Sequence, residues 1–176
     1  KILNQVNKMT TLINGFLNVS RLDSGKIQLQ QSSFELNQLI KDMIADIKPY
    51  GQQDHEFVFE PVGPIQLTAD RDKIGTVITN LLSNSVKYSA SDTKITVIAE
   101  QLNGTVNIQV KDQGKGIQPA DLDRLFERYF RIENHQNKHV SGFGIGLYLS
   151  AEIIKRHHGK IWAESTYGAG STFYFT

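Results

Sequence analysis

Between Arg71 and Tyr88 the chain carries one helical stripe and one misfit face. At about 100° per residue, Asn80, Asn84 and Lys87 fall within about 60° of one another, while Ile74, Ile78, Leu81, Leu82 and Val86 occupy the opposite arc. One face belongs in a core; the other presents two amides and an ammonium. Asparagine is a mediocre helix former, and two at i and i+4 are not what propensity would choose. A long helix with one buried stripe needs a second layer to pack on. Ile95 and Val97, then Val106, Ile108 and Val110, alternate around Asn103-Gly104 as a β-hairpin that can supply it.

The same two periods organise the rest of the chain. Leu36, Leu39, Ile40, Met43, Ile44 and Ile47 form a second helical stripe ending near Pro49 and Gly51. Ile27, Leu29 and Phe34 read as extended, short strands are expected at 56–60 and 64–69, and Pro119 opens a short helix. Helix follows at 144–158, and 160–165 is expected to pair with 171–176. The reading is an α/β sandwich of the α+β type: a mixed, mostly antiparallel sheet with helices on one face. Ahead of it, Ile2, Val6, Met9, Ile13 and Phe16 recur at steps of four and three, an amphipathic helix in need of a partner. Lys1 stands inside that pattern with no capping residue before it, as expected of a piece of a longer protein.

Bulk properties exclude several classes. At 176 residues, 39% hydrophobic and 21% charged, the chain suits one well-cored domain plus an appendage. A formal net charge of +1 supplies no field for nucleic acid, and no nucleic-acid partner is expected. Without cysteine there is neither disulfide nor thiolate zinc site. No apolar run approaches the roughly 20 residues of a membrane helix, so a soluble piece is expected.

Four short boxes stand in one order: NLLSNSVKY at 80–88, DQGKGI at 112–117, FERYFR at 126–131 and GFGIGL at 142–147. Magnesium bound to phosphates wants hard oxygen ligands, and a neutral amide oxygen such as that of Asn84, with Asn80 as a second choice, supplies one without repelling the phosphates. Lys87 can meet phosphate as a point charge. Closely spaced glycines at a helix start let N–H groups face an anion. GFGIGL lacks the third glycine of a dinucleotide fingerprint, and no GxxxxGK[ST] loop occurs. Taken singly, each box has a bland reading as a solvated face or surface turn. Their order does not.

Together they resemble the catalytic and ATP-binding domain of the sensor histidine kinases, whose layered Bergerat fold is shared with gyrase, the heat-shock chaperone and mismatch-repair ATPases. The resemblance implies that residues 29–176 are the ATP-binding domain, and that 1–28 is the second helix of a dimerisation and histidine-phosphotransfer hairpin. It implies ATP and magnesium as cofactors, with Asn80, Asn84, Lys87, Tyr88, Asp112, Gly114, Gly116, Ile117, Gly142, Gly144, Gly146, Leu147 and Thr172 around the nucleotide. Asp112 would take the adenine amine, and Gly114 and Gly116 would let the backbone approach the ring. Arg131, with Arg128 second, would reach the terminal phosphate. The polar stretch 132–143 resembles the lid that closes over ATP. GAGSTF at 168–173 resembles a last glycine box that shapes the closing strand. Phe126 and Phe130 read as core plugs.

The phosphoacceptor histidine of the family is missing from this chain. His55-Glu56 imitates its start, but the family proline falls five positions after the histidine and Pro61 lies six on; alternation in Phe57, Val58 and Phe59 reads as strand. His157 and His158 sit at a helix end, where the dipole favours a cation. His135 and His139 have metal-ligand spacing, with a solvated loop as the plainer reading. The expected partners are the parent's hairpin, a second copy through that hairpin, and the receiver domain of a response regulator. The parent is expected to sit in a bacterial inner membrane with this domain in the cytoplasm. Two alternatives stand beside the kinase reading: an anti-sigma-type serine kinase, and a non-catalytic ATP-binding signalling module.

Overall fold

The structure, a computed structural model, describes residues 28–47, 55–132 and 143–176. The helix expected over 1–22, the hairpin assignment of 1–28 apart from its last residue, Gly142, His135 and His139 lie outside these.

The described chain runs β1 (Ser32–Glu35), α1 (Leu36–Ile47), β2 (Glu56–Phe59), β3 (Gln66–Ala69), α2 (Arg71–Tyr88), β4 (Lys94–Leu102), β5 (Thr105–Asp112), α3 (Pro119–Leu122), α4 (Gly146–Arg156), β6 (Ile161–Thr166) and β7 (Gly170–Phe175). The main sheet has the order β2-β4-β5-β7-β6, with β2 parallel to β4 and the other pairs antiparallel. The expected mixed, mostly antiparallel sheet is therefore present. The two early strands part company: β3 leaves the main sheet and pairs with β1 in a small antiparallel sheet of its own. Strand length and alternation do not encode a partner, so this pairing was not readable from the sequence.

Local chemistry sets the element ends. Glu35 caps α1, its carboxylate accepting from the Asn37 and Gln38 N–H groups at 3.1 and 2.7 Å. Asp70 caps α2, accepting from the Lys73 N–H at 3.1 Å, and Asp72 in the first turn and Lys87 in the last suit the helix dipole. The β4–β5 hairpin pairs Leu102 with Thr105, and Asn103 and Gly104 both take positive φ, 52° and 80°, as a two-residue type I′ turn requires.

Ile95, Val97, Ala99, Val106, Ile108, Val110, Phe173 and Phe175 line the inner face of the sheet. Ile74, Val77, Ile78, Leu81 and Leu82 of α2 and Ile153 and Ile154 of α4 close over it, and α1 packs on α2 through Leu36, Leu39 and Ile40. The opposite face carries Trp162 stacked on Tyr174, with centroids 5.0 Å apart. Phe126 and Phe130 pack against the core, as read from FERYFR. His55 precedes a strand in register with β4, so the histidine-glutamate pair there belongs to a sheet. Among the described residues no helix is long and apolar enough to cross a membrane.

Candidate functional site

Helix α2 is held at both ends of its polar face by the two glycine boxes. Toward its middle, the Asn80 amide donates to the Gly146 carbonyl and to Ser150 Oγ, both at 3.2 Å. Gly146 opens α4, which no side chain caps, so its first N–H groups remain for another acceptor. At its C-terminal end, Ser89 forms a bridge with Gly114 of the DQGKGI loop. Asn84, Lys87 and Tyr88 lie between these two anchors.

The anchors divide the two asparagines. Gly146 O can only accept, so the Asn80 nitrogen must face it, and this amide is largely spent on joining α2 to α4. Asn84 makes no side-chain hydrogen bond among the described residues and is only partly buried. Its amide is therefore not committed to any tie between the described elements. Lys87 is solvent-accessible, and burial around its ammonium lowers its pKa. Tyr88 is pushed up by burial, opposed by the nearby Arg131 charge, and the Lys115 ammonium lies 5.4 Å from the centre of its ring. Arg131 is thereby within electrostatic reach of the end of α2.

Asp112 ends β5 on the inner face and is buried. Its Oδ1 accepts from the Gly114 N–H at 2.8 Å and the Ser171 N–H at 3.3 Å, which leaves Oδ2 as the unspent acceptor. Burial pushes its carboxyl above the usual aspartate range, although the two N–H groups oppose the rise. Gly116 has φ 67°, and a side chain there would run into the Thr166 carbonyl. Gly144 has φ 66°, and a Cβ would lie 2.7 Å from the Tyr129 carbonyl carbon and 2.8 Å from Phe130 O. Left-handed backbone and tight approach together explain both glycines. The Tyr129 N–H donates to Gly144 O at 2.9 Å, so FERYFR and GFGIGL meet on either side of residues 133–142.

Three of the residues expected around the nucleotide have these surroundings in the fold. Thr172 lies on the outer face of the sheet beside Tyr174; successive strand residues alternate faces, and it is Ser171 that turns inward next to Asp112. Leu147 is partly buried and packs against the core. Ile117 is likewise core, and its N–H donates to Ser165 Oγ at 2.8 Å. Ser165 and Ser89 were missed, because a lone serine in a strand or after a helix carries no spacing signal; Ser171 lies within the GAGSTF box but was not singled out. A parity count along β7 could have favoured Ser171 over Thr172.

Residues 69–176 match the family described as histidine kinase-, DNA gyrase B- and HSP90-like ATPase. The chain belongs to this family. Sensor protein kinase WalK of Staphylococcus saprophyticus is 31% identical over 175 residues, covering 98% of this chain and 28% of that protein. Sensor histidine kinase WalK of Bacillus subtilis is 30% identical over 176 residues, covering 98% of this chain and 29% of that one. The chain thus spans under a third of the length of these relatives. The nucleotide-free catalytic domain of histidine kinase ThkA superposes with a TM-score of 0.73 at 27% identity, over 83% of this chain and 93% of that domain. Full-length ShkA in complex with AMPPNP, at 21% identity, shares the fold with a TM-score of 0.86 over 99% of this chain and 36% of its own. Within the histidine kinase-, gyrase- and HSP90-like ATPases, this is the ATP-binding catalytic domain of the sensor histidine kinase type.

Proposed function

We propose that this domain moves the γ-phosphoryl group of Mg-ATP onto a histidine of a dimerisation hairpin, for relay to the receiver domain of a response regulator. The observation that carries the reading is that α2 is tied to both glycine boxes, through Ser89 to Gly114 and through Asn80 to Gly146, while the Asn84 amide and Asp112 Oδ2 take no partner among the described residues. The sensor kinases among the relatives support the same reaction.

In this reading Asp112 accepts a hydrogen bond from the adenine exocyclic amine. An ionised carboxylate cannot donate, so the guanine carbonyl would meet it with repulsion. The uncapped start of α4 and the backbone at Gly144 would face phosphate. Among the described residues no three of His, Cys, Asp and Glu cluster, so a magnesium ion would take Asn84 Oδ1 together with phosphate oxygens and water. When bound, the ion neutralises charge on the phosphates. Lys87 adds a point charge there, and Arg131 stabilises the terminal phosphate in a loose transition state. Residues 1–28 would be the second helix of the hairpin, through which the parent dimerises, and the parent would sit in a bacterial inner membrane with this domain in the cytoplasm.

Mixing the chain with radiolabelled ATP and a separate hairpin carrying the parent's histidine tests the reading. Acid-labile, alkali-stable label on the hairpin is expected. Label on serine would point to an anti-sigma-type kinase instead, and bound ATP with no transfer would leave a non-catalytic ATP-binding module.

A further inference from the structure

Ser165, outside all four boxes, sits at the centre of the hydrogen bonds behind Asp112. Its Oγ receives the Ile117 N–H at 2.8 Å, lies 2.8 Å from Gly170 O and lies 3.0 Å from Ser171 Oγ. An N–H can only donate and a carbonyl can only accept. The Ser165 proton therefore goes to Gly170, and one lone pair is taken by Ile117. The remaining lone pair can receive only a proton, so the Ser171 hydroxyl points at Ser165. This fixes one direction along the chain of groups: Ser171 O–H to Ser165 Oγ, Ser165 O–H to the Gly170 carbonyl.

The consequence falls on the base pocket. With its proton committed, Ser171 Oγ offers lone pairs alone, and Ser171 is paired in register with Asp112, whose Oδ2 is also an acceptor. The same Ser165 hydroxyl holds the loop that carries Gly114 and Gly116. That loop is tied again by the Gly168 N–H to Lys115 O bond at 2.7 Å.

We propose that Ser165 is a positioning residue for purine specificity: it orients the Ser171 hydroxyl so that the pocket beside Asp112 presents acceptors only, favouring a 6-aminopurine over a 6-oxopurine. The proposal rests on the ATP-binding reading and goes beyond it, because Ser165 would touch no ligand itself. In Ser165→Ala the Ser171 hydroxyl is free to turn and donate to a purine carbonyl.

The test is calorimetry of ATP and inosine triphosphate, with magnesium, on the whole chain and on Ser165→Ala, Ser165→Cys and Ser165→Thr. The expected result is a fall of about tenfold in the ATP-to-ITP affinity ratio for the alanine variant, the worth of one hydrogen bond. Threonine, which keeps the hydroxyl, should restore the ratio. Cysteine, which keeps the shape but donates and accepts weakly, should lower it even if the alanine variant fails to fold. Equal weakening of both nucleotides, or an unchanged ratio, would overturn the specificity role. Failure of the unaltered chain to bind ATP at all would overturn the underlying nucleotide reading, and is recognisable as such before any variant is compared.

Discussion

The Asp70 N–H donates to His157 Nε2 over 3.1 Å, joining the start of α2 to the end of α4. The other ring nitrogen lies 2.8 Å from the Ile153 carbonyl, which can only accept, so Nδ1 carries the proton and Nε2 the lone pair. Both nitrogens of His157 are thereby used in holding two helices together. His157→Ala would leave the buried Asp70 N–H unpaired and should cost about 1–2 kcal/mol in urea unfolding. The chain incubated with labelled ATP alone should acquire no phosphohistidine at this position, which peptide mapping would check.

The Asp70 carboxylate adds an acid-sensitive contribution to the same junction. Burial raises its pKa, but the Gln30 and Lys73 N–H groups and the Lys73 charge outweigh that and leave it below the ordinary value. A group depressed on folding stabilises fully above its unfolded pKa, about 3.9, and loses that contribution as pH falls through the lower folded value. Unfolding midpoints followed downward from pH 5 should fall less steeply for Asp70→Asn than for the native chain. At neutral pH Asp70→Ala should cost about 1 kcal/mol, the usual worth of an N-cap.

The two asparagines of α2 should separate stability from function. Asn80→Ala removes two hydrogen bonds between α2 and α4 and should destabilise by about 1–2 kcal/mol. Asn84→Ala removes no bond within the described fold, so its unfolding midpoint should stay within about 0.5 kcal/mol of the native one while magnesium-dependent phosphoryl transfer collapses. Denaturation and hairpin phosphorylation measured on both variants would check the split.

The raised Asp112 pKa gives ATP binding a particular pH dependence. Under the proposed function the adenine amine needs the carboxylate, so affinity should be full above the pKa of the free protein and fall as pH drops through it. Because burial raises that pKa, the fall should begin at higher pH than an exposed aspartate would give. The effect on folding has the opposite sign, since a raised pKa means that the folded state favours the proton. Asp112→Asn should weaken ATP by about 2 kcal/mol at neutral pH and flatten the acid limb, both read by calorimetry across pH.

Gly116 and Gly144 each combine positive φ with backbone already in the way of a Cβ. Alanine at either position adds the left-handed strain of about 1–2 kcal/mol and a steric conflict that only loop displacement can relieve. Gly144→Ala should push the start of α4 away from Tyr129 and reduce ATP affinity; thermal melting and nucleotide titration would show both.

Period and turn chemistry were enough to place most of the elements. Helix α2 lies over the residues its stripe marked, the Asn103-Gly104 turn closes its hairpin, Asp112 ends the strand its box was read to follow, and Asn84 lies on the helix its box was read to occupy. These are properties of neighbouring residues, and a chain read in order contains them. What only the tertiary structure decided depends on residues far apart in the chain. Asn80 became a structural tie because Gly146 arrives opposite it, Ser171 and not Thr172 faces inward beside Asp112 because of the register of β7 against β5, and β3 found β1 instead of the main sheet. The direction of the Ser165 hydroxyl follows from two partners on its own β6–β7 hairpin, Gly170 and Ser171, and a third, Ile117, in the loop after β5. Hydrogen bonds across 66 or 48 positions are set by how layers stack, and no local pattern carries that information.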